Sequence, residues 1–410
     1  MKRYLIIGNG TAAVGTIEGI RLRDKAGEIT VVSEEKRAVY SRPLISYYLE
    51  GKTDLEKMKY RPDDFYEKNG CRVLYGRRAV SLDPEKKTVA LDDGNVLPYD
   101  VLSVATGSRP FVPPFEGLDT VKNKFSFMTL DDALSLEKAL DKSARVLIVG
   151  AGLIGLKCAE GILARVGQIT VTDLADRVLS SILDADCAAV VQKHLEKNGI
   201  NFLLQDTVVR FDGGTATMKS GKIVAFDLLV LAVGVRANTA LVKDAGGSVN
   251  RGIVVNEKTE TSLPSVYAVG DCAEGFDASI GQNRVIAILP NAYLQGQTAG
   301  INMAGGDAAL SNAIPMNSIG FFGLHMMTAG AYDGEMSEEP TEGGVKRFFV
   351  KDGLLRGYIL IGATERAGIY TSLIREKTPL DTVDFELTKK VASNLIFSRE
   401  NRRKKFGSVV

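Results

Sequence analysis

The first residues whose spacing suggests chemistry are three small residues near the start of the chain. Gly8, Gly10 and Ala13 form a G-x-G-x-x-A turn directly after the apolar run YLII. Glycines in this pattern let the backbone approach a pyrophosphate, and the next helix points its N-terminus at the phosphate charge. Glu34 follows at the end of the next apolar run, where a carboxylate can bond a ribose. This set predicts a dinucleotide site; the alternative is a tightly packed turn that binds nothing.

A second turn of the same kind occurs later in the chain. Gly150, Gly152 and Gly155 follow the apolar run VLIV, and Asp173 closes the next run. An acid there favours a free 2′-hydroxyl and repels a 2′-phosphate, which predicts NADH rather than NADPH. Arg177 lies close enough to soften this discrimination, and Asp173 could instead be an acid at a helix start with no ligand role. Two such turns are most economically explained by one flavin and one nicotinamide dinucleotide, because hydride passes directly between those rings.

The elements that position the turns also occur twice. Each copy reads as a buried strand, a glycine turn, a helix and a second strand, EITVVSEE in the first copy and QITVTDLAD in the second. Alternating residues and turn signals then predict antiparallel strands, followed by an apolar exit strand that ends at Gly107 or Gly234. We therefore predict an α/β fold with two Rossmann-like domains of the three-layer ββα type and a small α+β C-terminal domain.

The domain limits follow from these repeats. We predict an FAD-binding domain at 1–109 and 238–314, an NAD-binding domain at 110–237 and a C-terminal domain at 315–410. A chain of 410 residues suits two or three such units.

Composition narrows the class of protein. With 51 basic and 50 acidic residues, the net charge gives no reason to expect nucleic acid or an anionic membrane as a partner. Cys71, Cys158, Cys187 and Cys272 form no CxxC pair, so we expect no metal site. No stretch resembles a signal peptide or reaches the ~20 apolar residues of a membrane span. We expect a cytoplasmic protein.

Five segments resemble the large family of two-dinucleotide flavoprotein reductases: GNGTAA, ATGSRP, GAGLIG, LAVGVRANT and VYAVGDCAE. The last is the most specific. With YSRPLISYYL and QGQTAGINMAGG, nearly the whole chain is most similar to NADH:rubredoxin reductases and the FAD/NAD-binding part of assimilatory nitrite reductases. The resemblance implies hydride transfer from NADH to FAD and electron delivery to rubredoxin, ferredoxin or an iron–sulfur subunit. The alternatives are an electron-transfer subunit of a larger complex and an NADH oxidase.

The resemblance also implies residue roles. Asp271 would bond the ribityl or pyrophosphate chain of FAD, Arg42-Pro43 would lie beside the flavin, and a helix starting at Pro290-Asn291 would point its N-terminus at the flavin. Alternatively, Asp271 is a helix N-cap and Arg42 an ordinary ion-paired arginine. The residues expected to contact FAD or NADH are Gly8, Gly10, Thr11, Ala12, Ala13, Glu34, Glu35, Arg42, Pro43, Ala105, Thr106, Gly107, Arg109, Gly150, Gly152, Leu153, Ile154, Gly155, Asp173, Gly234, Gly270, Asp271, Pro290 and Asn291.

The chain departs from this family in three places. The helix after the first acid lacks the CxxxxC pair of disulfide reductases and the single cysteine of peroxidase relatives, which excludes a dithiol relay and sulfenic-acid chemistry. Lys157 stands where relatives commonly carry glutamate, and Tyr47 where they often carry lysine or histidine. We assign both to the catalytic pocket, with a solvated lysine as the alternative.

A basic run from Arg399 to Lys405 could steer an acidic carrier or be a solvated tail.

Overall fold

The computed structural model describes residues 1–390, so the basic run that begins at Arg399 lies outside the described residues. The strands are β1 (Arg3–Ile7), β2 (Glu28–Ser33), β3 (Cys71–Tyr75), β4 (Ala79–Asp83), β5 (Thr88–Leu91), β6 (Val96–Pro98), β7 (Val101–Val104), β8 (Ser108–Pro110), β9 (Lys124–Phe125), β10 (Arg145–Val149), β11 (Gln168–Asp173), β12 (Ile200–Leu204), β13 (Val208–Asp212), β14 (Thr215–Met218), β15 (Ile223–Ala225), β16 (Leu228–Leu231), β17 (Val235–Ala237), β18 (Ile253–Val254), β19 (Val266–Ala268), β20 (Ala273–Asp277), β21 (Gln282–Arg284), β22 (Met316–Phe321), β23 (Leu324–Gly330), β24 (Glu335–Glu339), β25 (Val345–Lys351) and β26 (Leu354–Ile361). The α-helices are α1 (Thr11–Arg23), α2 (Ile45–Leu49), α3 (Phe65–Lys68), α4 (Leu130–Glu137), α5 (Leu153–Ile162), α6 (Ala185–Lys197), α7 (Ala240–Lys243), α8 (Leu289–Met303), α9 (Ala367–Arg375) and α10 (Phe385–Lys390).

Two five-stranded parallel sheets form the centre of the molecule. Their strand orders are β19-β7-β1-β2-β3 and β12-β11-β10-β16-β9, so β1 and β10 occupy the same central position. Both central strands are buried except at their first residue, which explains why they read as continuous apolar runs. Each sheet is accompanied by three antiparallel strands, β4-β5-β6 or β13-β14-β15. The predicted α/β class with two Rossmann-like units is confirmed, whereas the domain limits stay predictions.

An ion pair repeated in both sheets marks the duplication. Arg3 donates its backbone N–H to Asp100 over 2.7 Å, and Arg145 donates its own to Asp227 over 2.8 Å. In each pair the guanidinium also bonds the same carboxylate, which lowers the pKa of Asp100 and of Asp227 to about 2. The repeat thus extends beyond the glycine turns to the entry of each central strand.

Helices α1 and α8 touch through glycine backbones. A Cβ on Gly15 would lie 2.2 Å from the carbonyl oxygen of Tyr293, and a Cβ on Gly296 would lie 2.0 Å from that of Ala12. Gly19 and Gly300 are equally close to the opposite helix. Because Gly296 meets Ala12 and Gly300 meets Thr16, the two helices run parallel, and both begin at the same edge of the first sheet.

The C-terminal unit is an antiparallel sheet in the order β22-β23-β26-β25-β24, packed against α9. The turn at 320–323 joins β22 to β23, and Phe321 is fully buried with side chains of α5 and β10 in one apolar cluster. The C-terminal unit therefore shares a core with the second parallel sheet. No helix among residues 1–390 is long and apolar enough to cross a membrane.

Candidate functional site

A cavity of about 480 Å³ lies at the carboxyl edge of the first sheet. Its walls come from the first glycine turn, the end of β2, the segment after β7, and the start of α8. This is the edge where parallel α/β sheets bind ligands. The residues predicted for FAD that line it are Gly8, Gly10, Thr11, Ala12, Glu34, Glu35, Arg42, Ala105, Thr106, Gly107, Arg109, Gly270 and Asp271.

The glycine turn gives α1 a bare N-terminus at this cavity. Gly8 has φ +112°, and a Cβ there would lie 2.1 Å from the carbonyl oxygen of Ala105, so the position requires glycine. Gly10 is the N-cap, no side chain caps the helix, and nothing lies within 4 Å of where its Cβ would be. Uncapped N–H groups and open space suit a pyrophosphate.

Glu35 and Tyr40 hold Arg42 at one wall of the cavity. Arg42 bonds the carboxylate of Glu35, which also accepts a 2.8 Å hydrogen bond from the hydroxyl of Tyr40. The Arg42 guanidinium also lies 5.4 Å from the centre of the Tyr40 ring, and burial raises the pKa of Tyr40. Arg42 is therefore both ion-paired and cavity-lining, and its place beside the flavin stays a prediction.

Asp271 is held by the chain around it rather than acting as a helix cap. It lies in a single 3-10 turn with no side-chain capping bond, and its carboxylate accepts a hydrogen bond from Ser108 at 3.4 Å. Burial raises the pKa of Asp271, while the charge of Arg42 opposes that rise. A partly buried carboxylate at the cavity wall can accept hydrogen bonds from a ligand's hydroxyl groups.

The charges of the lining fit a diphosphate. Five arginines and four carboxylates line the cavity, namely Arg37, Arg42, Arg77, Arg78, Arg109, Glu34, Glu35, Asp131 and Asp271. This slight positive excess, together with the bare helix end, suits the phosphates of FAD, and Glu34 and Asp271 suit its hydroxyl groups.

Sequence reasoning did not single out several cavity residues. They are Asn9, Arg37, Tyr40, Arg77, Arg78, Ser108, Met128, Thr129, Asp131, Asn238 and Leu289. Asn238 could have been found from its place in the segment LAVGVRANT, directly after β17, whereas residues 128–131, which lead into α4, are distant in sequence and only their helix-capping pattern is visible. Among the predicted residues, Ala13, Pro43, Pro290 and Asn291 do not line this cavity; Ala13 is in the core and α8 begins one residue earlier, at Leu289.

The second glycine turn has the same local form. Gly152 is the uncapped N-cap of α5, Leu153, Ile154 and Gly155 form its first turn, and Gly234 follows the exit strand β16. A Cβ on Gly155 would lie 2.0 Å from the carbonyl oxygen of Gly150, and one on Gly152 would meet nothing within 4 Å. A phosphate can thus approach this turn as it can the first.

Asp173 is part of the second turn's own hydrogen bonding. Its carboxylate accepts the N–H of Ala151 at 2.7 Å and that of Ala175 at 2.8 Å. Strand pairing makes Asp173 equivalent to Ser33, and the exposed Leu174 equivalent to Glu34. The two acids therefore stand one position apart, although the sequence pattern suggests equal roles.

Arg177 is occupied elsewhere. Its guanidinium bonds the carboxylate of Asp176 at 2.7 Å and the carbonyl oxygen of Leu183 at 3.2 Å. Both of these contacts lie on the far side of Asp173 in sequence, at residues 176 and 183.

Lys157 and Tyr47 lie next to each other, although neither lines the cavity, and their assignment to the catalytic pocket stays a prediction. The Lys157 ammonium lies 4.5 Å from the centre of the Tyr47 ring and 5.6 Å from that of Phe321. It is ion-paired with the buried Glu160 on its own helix and donates to the carbonyl oxygen of Gly320 at 3.2 Å. Lys157 is therefore not a solvated lysine; it joins α2, α5 and the 320–323 turn.

The remaining candidates have structural contacts. Cys158, Cys187 and Cys272 are buried free thiols, and burial raises the pKa of Cys187 to about 12. His194, which sequence left without a role, lies 3.0 Å from the carbonyl oxygen of Phe321 through Nε2.

Comparison with known proteins agrees with this geometry. The family model described as pyridine nucleotide-disulphide oxidoreductase matches residues 2–296. The NADH-dependent phenylglyoxylate dehydrogenase subunit epsilon of Aromatoleum evansii is 32% identical, over 97% of this chain and 96% of that protein. The NADH oxidase of Methanocaldococcus jannaschii is 36% identical over 75% and 71% of the two chains. The crystal structure of NADH:rubredoxin oxidoreductase from Clostridium acetobutylicum superposes with a TM-score of 0.76, at 25% identity over 93% and 97% of the chains.

Proposed function

The chain belongs to the pyridine nucleotide-disulphide oxidoreductase family, and from that premise we propose that it accepts hydride from NADH onto FAD and delivers electrons to a rubredoxin- or ferredoxin-type carrier. The observation that carries the proposal is the pair of bare helix N-termini at two glycine turns, one of which opens into a cavity sized and charged for FAD. Bound flavin accepts a hydride and can release electrons one at a time.

The residues of the chain bind and orient in this proposal. The N-terminus of α1 holds the pyrophosphate, Glu34 the adenosine ribose and Asp271 the ribityl chain. Arg42 is held in place by Glu35 and Tyr40 at the same wall. The N-terminus of α8, whose Leu289 and Ala292 line the cavity, supplies partial positive charge where reduction adds electrons.

The second turn supports NADH over NADPH. The Asp173 carboxylate is fixed by two backbone N–H groups, and Arg177 is bonded to Asp176 and Leu183. A 2′-phosphate would therefore meet a fixed negative charge with no free arginine at this position.

The test is cofactor extraction followed by anaerobic reduction. We expect a yellow protein with one FAD per chain that NADH bleaches, and whose electrons then reduce rubredoxin or ferredoxin. A colourless protein that FAD cannot reconstitute would contradict the cofactor, and reduced flavin that reacts only with oxygen would contradict the carrier.

A second candidate function is that of an electron-transfer subunit in a larger oxidoreductase. Its basis is one relative that is named as a subunit and matches over 96% of its length, whereas the relatives named as NADH oxidase and NADH:rubredoxin oxidoreductase favour the reductase. Purification from the native host distinguishes the two, because co-eluting subunits support the complex and a free flavoprotein supports the reductase.

A further inference from the structure

The two places where the chain crosses between the parallel sheets lie side by side. β8 leads out of the first sheet, β17 leads back from the second, and the two pair antiparallel with Arg109 opposite Arg236. The angle of this two-stranded ribbon therefore sets the orientation of one sheet relative to the other.

Asn238, the residue after β17, is bonded to the outgoing crossing by all four of its polar atoms. Its N–H donates to Gly107 O and its Nδ2 to Thr106 O, each over 2.9 Å. Its carbonyl oxygen accepts from Thr106 Oγ1 at 2.9 Å, and its Oδ1 accepts from Arg109 at 3.3 Å. Since these residues all line the cavity, this end of the ribbon is itself a wall of the cavity.

The other end of the ribbon is held more loosely. There Phe111 donates its N–H to Gly234 O over 2.9 Å, and the guanidinium of Arg236 lies 4.5 Å from the centre of the Phe111 ring. Gly234 has φ +122°, and nothing lies within 4 Å of where its Cβ would be. The ribbon thus has three hydrogen bonds that involve side chains at the cavity end, whereas the end nearer the second sheet is joined by one main-chain bond and the Arg236–Phe111 contact and carries a glycine with a positive φ.

We propose that Asn238 is a positioning residue for hydride transfer. Asn238 fixes both crossings to the cavity wall. The orientation of the second sheet, and of the nucleotide bound to it, is thereby set relative to a dinucleotide in the cavity. The remaining freedom of the joint lies at Gly234. This inference rests on the proposed function, since it concerns how the two nucleotide rings are brought into register.

The test compares FAD-loaded wild type, Asn238→Ala and Asn123→Ala. Asn123 is an exposed asparagine of the second unit whose Nδ2 bonds only a backbone oxygen, that of Asp227, so it controls for loss of an amide. In anaerobic stopped flow, we expect Asn238→Ala to lower the limiting rate of flavin reduction about tenfold or more while the Kd for NADH stays within about twofold, because misorientation acts on the reacting geometry. Asn123→Ala should match wild type.

Hydrogen exchange supplies a readout besides activity. In FAD-loaded Asn238→Ala, amides of the 234–239 segment should exchange faster than in wild type, with the 145–149 strand unchanged. Thr106→Val, which removes one bond of the four, should give a smaller effect in both measurements.

Two results would overturn the inference. One is a limiting rate and exchange pattern in Asn238→Ala equal to those of wild type. The other is loss of FAD with an unchanged reduction rate per bound flavin, which would make Asn238 a cofactor ligand only. If wild type itself neither binds FAD nor is reduced by NADH, it is the proposed function that fails.

Discussion

Asp173 provides the most direct test at the scale of single residues. Asp173→Asn removes the charge but keeps an acceptor for the N–H of Ala151, so the turn should persist. We expect the preference for NADH over NADPH to fall at least about tenfold, or ~1.4 kcal/mol, because the repulsion of a 2′-phosphate disappears. The measurement is the kcat/KM ratio for the two nucleotides.

Asp173→Ala is the comparison variant for this test. It also removes both acceptors of the turn, so NADH affinity should fall as well. If Asp173→Asn leaves the nucleotide preference unchanged, charge at this position does not discriminate between the two nucleotides.

The family pattern suggests Lys157→Glu as the test of this position. The ion pair between Lys157 and Glu160 requires a different substitution. Their side chains are 18% and 5% exposed, so Lys157→Glu would place two carboxylates together in a nearly buried site. Lys157→Met instead leaves Glu160 without a cation. We expect the free energy of unfolding to fall by about 3–5 kcal/mol, as when one partner of a buried pair is removed.

The double variant Lys157→Met/Glu160→Gln tests the cause. The glutamine can still accept the N–H of Phe322, which bonds Glu160 at 2.6 Å in the wild type, and it carries no charge. The double variant should recover much of the lost free energy of unfolding, as measured by urea denaturation. If it does not, packing around Tyr47 rather than the ion pair holds this junction. An unchanged rate of flavin reduction in the double variant would also remove Lys157 from the nicotinamide pocket.

Sequence reasoning succeeded best for residues that act through backbone geometry. Gly8 and Gly150 occupy turns that require glycine, so their spacing can be recognised from the sequence alone. Arg37 and Asp131 line the cavity because the loop after β2 and the start of α4, which are distant in sequence, converge there, and no spacing rule predicts that. The one-position offset between Asp173 and Glu34 was equally hidden, because it depends on strand pairing.

At the scale of elements, the contact between α1 and α8 makes a stability prediction. Gly296→Ala would drive a methyl group to within 2.0 Å of the Ala12 carbonyl oxygen and should destabilise the protein by about 1–3 kcal/mol. Because both helices begin at the cavity, FAD affinity should fall too. Thermal unfolding and FAD titration measure the two effects.

Gly368→Ala is the matched control for that substitution. Gly368 lies in α9, and nothing is within 4 Å of where its Cβ would be. We expect it to gain up to ~1 kcal/mol from helix propensity and to leave FAD affinity unchanged. Equal effects of the two substitutions would show that the helix contact is not tight.

The elements themselves were largely predictable, and their partners were not. Apolar runs located β1 and β10, and the Asp-Gly signal located the turn between β5 and β6. A small α+β C-terminal domain was also expected, but the antiparallel order of its strands was not predicted. The sequence could not predict that Lys157 and Glu160 of a distant helix bond the turn at 320–323, because those contacts are to backbone atoms.

For the whole molecule, electron delivery to a protein carrier should depend on salt more than flavin reduction does. The basic run from Arg399 to Lys405 can attract an acidic carrier over the ~10 Å Debye length of 0.1 M salt, whereas hydride transfer is a buried step. Truncation after Ser398 should slow carrier reduction at low salt and flatten its salt dependence. Unchanged kinetics would show that the carrier docks elsewhere.

The strand order of the first sheet bears on how the nascent chain folds on the ribosome. All five strands of the second sheet lie within 124–231, so that sheet can form as soon as this stretch emerges. The first sheet needs β19, and α1 needs α8, both of which are synthesised much later. While its neighbour is synthesised, β7 therefore lacks its partner β19 and α1 lacks its contact with α8. A chain that ends before residue 266 would carry all strands of the second sheet but an unfinished first one.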